Sequence, residues 1–192
     1  PVVIAMEALD DRACKDVESA MKNKPILISC SEFVGIEMAA FLRSLTLLIT
    51  TRYHGMVLSM PGLVPFIGLS RDERIRGVMK ETGLYDNYYI DYQDPDLGGK
   101  LKNRTARMMD SEGERKRVSG VIRDNLPYYF AQMALMGLDL RKIVKGHYPQ
   151  FEPVPLDEDN PEKLMPFTPP ELKNEITKKF LEMKRGEAHH AG

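Results

Sequence analysis

Apolar runs recur along the first half of the chain. The stretches between them carry apolar residues at helical spacing. Pro1 to Met6 (PVVIAM), Pro25 to Cys30 (PILISC), Leu45 to Thr50 (LTLLIT) and Val64 to Ser70 (VPFIGLS) contain almost no polar alternation. Such runs predict strands buried on both faces, and Asn87 to Tyr92 adds a candidate edge strand. Between them, Ala13, Val17, Ala20 and Met21 predict one helix face, with Asp10 or Asp11 as its cap. Ser31 is expected to open a second helix, with Val34, Met38, Phe41, Leu42 and Leu45 on one side. Tyr53 to Met60 predicts a short helix stopped by Pro61-Gly62. Ser70 or Asp72 predicts the cap of another, closed by Gly83.

Alternating strands and helices predict an α/β fold: a Rossmann-like parallel sheet with helices on both faces. Further along the pattern changes. Asp96 to Lys145 is helical and charged, and Pro127 predicts a break into two or three helices. The strongly apolar Asn125–Leu140 stretch is expected to pack back on the domain or on a partner domain. From Pro149 the chain is rich in proline and acid, which predicts an extended arm. Leu172, Ile176, Phe180 and Met183 predict a late helix over Glu171 to Arg185, and the final GEAHHAG is expected to fray. The expected division is thus a Rossmann-like domain with trailing helices over 1–148 and an arm with a short helix over 149–192.

Composition narrows the function less than it narrows the fold. The 192 residues suit one domain with an extension, and 43% are hydrophobic. A formal net charge of −1 gives no whole-chain reason to expect nucleic acid as partner, so anion binding must come from local charge. No apolar run is long enough for a transmembrane helix, and no signal peptide is visible. Cys14 and Cys30 form no C-x-x-C pair and are expected to be free thiols of a cytoplasmic protein. The histidines show no zinc spacing. The chain begins at Pro1 rather than Met and is expected to be part of a longer protein.

The candidate chemistry lies at two strand ends. Arg52, Tyr53 and His54 follow the third strand; Arg71, Arg74 and Arg76 follow the fourth. In an open parallel sheet, ligands sit outside the carboxyl ends of the strands. A helix N-terminus with a guanidinium suits a carboxylate or phosphate, and a histidine two residues on suits proton transfer near neutral pH. The alternatives are a surface ion pair for Arg52, a structural role for His54, and a solvated charged face for the later arginines. No glycine-rich dinucleotide fingerprint, P-loop or nucleophile elbow is present.

The stretch LLITTRYHGMVLSMPGLVPFIGLSRDERIRGVMKETGL resembles the signature region of the polysaccharide pyruvyl transferase family. That family has an Arg-Leu-His tripeptide after a strand, a short helix, Gly-x-Pro, a further strand and a Tyr-Asp-x-Lys-like segment. Here the counterparts are Arg52-Tyr53-His54, a looser Gly62-Leu63-Val64-Pro65, and Arg74 at the lysine. Tyr53 replaces the leucine, and Arg71 stands where the family often has tyrosine. The similarity covers roughly residues 1–92 and ends by Pro149. It implies the C-terminal half of a GT-B-like enzyme, with a separate N-terminal acceptor domain. The implied reaction moves pyruvyl from phosphoenolpyruvate to a sugar of a cell-surface polysaccharide or its precursor, with no cofactor and no metal. His54 and Arg52 would be catalytic; Arg52, Tyr53, Arg71 and Arg74 would hold the donor. The C-terminal arm is a candidate oligomer contact. Two other functions fit the same residues: a non-catalytic domain for a phosphorylated or nucleotide-linked sugar, and a nucleotide-sugar glycosyltransferase domain.

Overall fold

The computed structural model describes residues 1–150 and 170–186. They form two compact units, one spanning Pro1–Gly120 and the other starting at Val121. The first unit is mixed α/β. Strand β1 (Val2–Ala5) leads through a 3-10 turn and α1 (Asp11–Ala20) to β2 (Ile26–Ser29). Helix α2 (Gly35–Arg43), β3 (Leu48–Thr50), α3 (Tyr53–Ser59) and β4 (Phe66–Leu69) follow. Then come α4 (Glu73–Glu81), the single turn α5 (Tyr85–Tyr88), β5 (Tyr89–Ile90) and α6 (Leu97–Asp110). Helix α7 (Glu112–His147) runs into the second unit.

All strand pairs are parallel, as their apolar texture predicts, but they do not make one sheet. Strands β1 and β2 pair with Val2 opposite Ile26; β3, β4 and β5 form a separate three-stranded sheet with Leu48 opposite Phe66 and Gly68 opposite Tyr89. The strands are shorter than the apolar runs, and the hydrogen bonds of β3 go to β4, beginning with Leu48 N–H to Pro65 C=O at 2.9 Å.

The expected inward face of α1 is also corrected. Ala13, Val17 and Ala20 are exposed, whereas Asp11, Cys14, Glu18 and Met21 turn inward to differing degrees. That i, i+3, i+7, i+10 stripe has the helical period but contains two acids, which hid it from a hydrophobicity pattern. Asp11 is engaged there, accepting the Ser29 hydroxyl at 3.0 Å. Helix α2 starts at Gly35 rather than Ser31, because Glu37 turns back to accept the Val34 N–H at 3.0 Å.

The second half of the unit is better buried. Phe66, Ile67, Ile75, Met79 and Tyr88 are fully enclosed, and Met56, Met60 and Met108 fill the spaces around them. Helix α4 ends as its sequence predicts. Gly83 adopts a left-handed φ of 67°. Its N–H bonds Lys80 C=O at 3.0 Å, and Leu84 N–H bonds Met79 C=O at 2.9 Å. Leu84 and Met79 are both buried, completing a Schellman stop.

The helical region does contain two helices, but the break is at Ser111. Pro127 lies inside α7. Ser111 Oγ accepts the Glu114 N–H at 3.1 Å, and Arg115 closes the end of α6 by donating to the Met108 and Met109 carbonyls at 2.7 and 2.6 Å. The Ser-x-x-Glu spacing of a helix start was present in the sequence.

Glu114 then serves a different purpose. It accepts the hydroxyl of the enclosed Tyr88, a two-pronged bond from Arg117 at 3.0 and 2.9 Å, and a contact from Arg107 at 2.8 Å. Hydrogen bonds from Arg117 first and Tyr88 second push its carboxyl down to about 2. A carboxylate depressed on folding adds stability that is present above its ordinary pKa and is lost as pH falls through the depressed value. Both arginines are about half exposed, which weakens the pair by screening. Glu114→Gln should therefore cost about 2 kcal/mol at pH 7. It should also flatten the loss of stability between pH 4.5 and 2, as urea unfolding across that range would show.

In the second unit, α7 buries Leu126, Phe130, Ala134 and Leu138, a stripe spaced by fours. A 3-10 turn (Pro170–Leu172) that buries Leu172 leads into α8 (Lys173–Lys184), which buries Ile176 and Phe180 as predicted; Met183 is only half-buried. Most of the expected arm (151–169) and the terminal residues (187–192) lie outside the described residues. Among the described residues, no helix is long and apolar enough to cross a membrane. Cys14 and Cys30 are unpaired.

Candidate functional site

The site begins at the end of β3. Buried Thr50 turns its hydroxyl onto the backbone of Arg52, 3.0 Å from the N–H and 2.9 Å from the C=O. This bends the chain out of the strand, and Arg52 takes the extended N-cap position of α3 with φ −114°. Gly55 lets the first turn of α3 sit against that hydroxyl, since a Cβ there would lie 2.9 Å from Thr50 Oγ1. The result places Arg52, Tyr53 and His54 on the carboxyl side of the sheet.

Arg52 does not project freely. Its guanidinium grips Asp10 with two nitrogens, one of them Nε at 3.2 Å, and contacts Glu7 at 3.4 Å. Both carboxylates follow β1. A side-chain clasp thus joins the carboxyl ends of β1 and β3, which exchange no ladder hydrogen bonds.

Arg74 reaches the same edge from α4. Its guanidinium lies over the Tyr53 ring, 5.0 Å from the centroid. It binds Asp72 at 2.7 and 3.1 Å, and Asp72 also caps α4 by accepting the Arg74 N–H at 2.9 Å. Arg74 bonding holds the Asp72 carboxyl below the usual range, with a smaller push from nearby His54. The Tyr53 and His54 rings meet edge-to-face at 5.7 Å, and His54 is exposed. Glu7 acts electrostatically on both Arg52 and Arg74.

Of the predicted site residues, the structure therefore groups Arg52, Tyr53, His54 and Arg74. Arg71 is corrected: it donates to the Tyr92 hydroxyl at 2.9 Å and lies over the Tyr92 ring, beside β5. Arg76 also turns that way, to Glu73 and Asp91.

Three acidic residues belong to the site that sequence reasoning did not assign to it: Glu7, Asp10 and Asp72. Their signal was positional, since each follows a strand at the same edge as the arginines. Together they outnumber the two guanidiniums they hold. Chemically, the edge offers two cations that can exchange partners, an exposed imidazole, an aromatic face and carboxylates able to accept hydroxyls. Among the described residues, no group of His, Cys, Asp and Glu is arranged to hold a metal ion. Compared with known proteins, the chain matches no family model and shows no significant similarity to a curated protein or a solved structure.

Proposed function

We propose that this carboxyl edge binds phosphoenolpyruvate, and that the chain is the donor-binding half of a transferase forming a pyruvate ketal on a glycan. The observation that carries the reading is the stacking of Arg74 on Tyr53, which adds a second cation to the Arg52–His54 turn. Phosphoenolpyruvate has a carboxylate and a phosphate, one for each guanidinium. On binding, Arg52 exchanges Asp10 for one anion and Arg74 exchanges Asp72 for the other.

In the reaction, imidazolium His54 protonates the methylene carbon, leaving an oxocarbenium-like carbon at C2. A sugar hydroxyl adds there, and its proton returns to His54. Phosphate then departs as a second hydroxyl closes the ring, and the proton of that hydroxyl leaves with it as hydrogen phosphate. The balance is phosphoenolpyruvate plus a diol giving a cyclic ketal plus phosphate.

The resident carboxylates favour a second reading. Glu7 and Asp10 can accept sugar hydroxyls while Arg52 holds a single phosphate. That arrangement suits a phosphorylated or nucleotide-linked sugar, bound without chemistry or as a glycosyl donor.

Titration calorimetry with two variants separates the readings. Arg52→Ala should weaken phosphoenolpyruvate binding by about ten-fold, the equivalent of one charge-assisted contact. Asp10→Asn releases Arg52 and should tighten phosphoenolpyruvate binding, whereas it should weaken a sugar held through that carboxylate. No binding of phosphoenolpyruvate to the native chain, with binding of a nucleotide sugar, would decide for the second reading.

A further inference from the structure

We propose that the outer edge of β2 pairs antiparallel with β2 of a second copy of this chain, forming a two-fold dimer centred on Leu27. In β2 the N–H groups of Ile26 and Cys30 point to β1, bonding Pro1 and Ala5 carbonyls at 3.2 and 2.9 Å. The pleat alternates, so Leu27 and Ser29, both half-buried, turn their backbone groups outward, while Pro25 just before the strand is buried. Strand β2 has β1 as its only neighbour among the described strands.

The outward groups match themselves about a two-fold axis. With Leu27 opposite Leu27 of the second copy, the two residues exchange both of their hydrogen bonds. Ser29 N–H then points toward Pro25 of the other strand, a residue buried in the single copy, so the Leu27 pair carries the register. Proline has no N–H to give in return, and the Ser29 carbonyl needs none, because it already accepts the Glu32 N–H at 3.0 Å. Shifting the strands to centre on Ile28 would instead set the occupied Ser29 carbonyl against a Leu27 N–H.

Side chains fit the same register. Ile26 is 66% exposed, an uncommon position for a strand isoleucine. In this pairing it stands opposite Ile28 of the second copy. Ile28 lines a mostly apolar recess of about 300 Å³ with Phe33, Glu37, Met38 and Phe41. Each exposed Ile26 thus reaches its partner's recess, and Val34 and Ile36, between Phe33 and Met38 in sequence, are also exposed. Charge agrees: Lys22 and Lys24 precede the strand and Glu32 follows it, so antiparallel pairing brings opposite signs together at both ends.

The test is analytical ultracentrifugation of the whole chain over a wide concentration range. A reversible dimer is expected. Ile26→Lys should weaken it by more than about ten-fold, a change readable as a shifted midpoint, with an unchanged circular dichroism spectrum. In a Cys30→Ser background, Leu27→Cys should cross-link the dimer under mild oxidation, because paired positions of this type lie about 5.5 Å apart. Ser29→Cys should not, since Ser29 faces Pro25. A monomer at every concentration, or a dimer that Ile26→Lys leaves unchanged, would overturn the proposal. If the lysine variant does not fold, failure of Leu27→Cys to cross-link overturns it equally.

Discussion

Gly62→Ala should destabilise the Pro1–Gly120 unit by about 3 kcal/mol, the upper part of the usual range for overpacking. A Cβ at Gly62 would lie 2.3 Å from the Arg43 carbonyl oxygen and 2.7 Å from Arg43 Cα and Cβ. These are backbone atoms at the end of α2, and no rotamer change relieves the overlap. Gly62 closes the 3-10 turn after α3, and Arg43 Nε donates across the same seam to Leu58 C=O at 3.2 Å. Forcing the seam apart moves α3, and α3 carries Tyr53 and His54. Loss of stability should therefore be accompanied by weaker ligand binding at the carboxyl edge. Gly77→Ala is the control. Its Cβ meets nothing within 4 Å inside helix α4, and the substitution should stabilise by about 0.5–1 kcal/mol through helix propensity. Thermal or urea unfolding of the pair checks both directions. Equal effects from the two variants would mean that Gly62 does not pack as described.

Under the proposed reaction, His54→Ala should cut ketal formation by about 10²- to 10⁴-fold once an acceptor domain is supplied, the usual contribution of a general acid. Binding of phosphoenolpyruvate should change far less, because a proton donor acts mainly in the transition state. His54 is exposed and touches the fold chiefly through the Tyr53 ring, so removing it should leave folding intact. Turnover is thus separable from stability at this residue, as it is not at Gly62. Normal turnover by His54→Ala would end the assigned mechanism; a turnover loss matched by an equal loss of affinity would make His54 a binding residue.

Much of the site was legible because it depends on topology. Arg52 and Arg74 follow parallel neighbouring strands, and any parallel arrangement of β3 and β4 puts those ends on one side. The Gly83 stop was legible for a local reason: a left-handed residue closing a helix is usually glycine. What the sequence concealed were partners distant along the chain. Asp10 reads as a helix cap, and its grip on Arg52, 42 residues away, appears only once the fold brings the ends of β1 and β3 within side-chain reach. Arg71 and Arg74 carry the same charge three residues apart, yet one is drawn to Tyr92 and the other to Tyr53. Pro127 misled because a helix start at Ser111, anchored by Arg115, had already fixed where the break falls. The α1 stripe misled because two of its inward positions are acids, Asp11 and Glu18, which stay half-exposed, and Asp11 has the Ser29 hydroxyl as its partner.

Methionine fills both the core and the surface of this chain, and the two populations differ in chemical fate. Met56, Met60, Met79 and Met108 are at most 2% exposed, while Met109, Met133 and Met136 are at least 52% exposed. Peroxide converts a thioether to a polar sulfoxide only where it can reach the sulfur. The outer sulfurs therefore oxidise in the native protein without disturbing packing, and the inner ones oxidise only after the chain opens. Adjacent Met108 and Met109 form a built-in chronometer: one peptide holds both a sulfur that records exposure to oxidant and a sulfur that records how often the fold breathes.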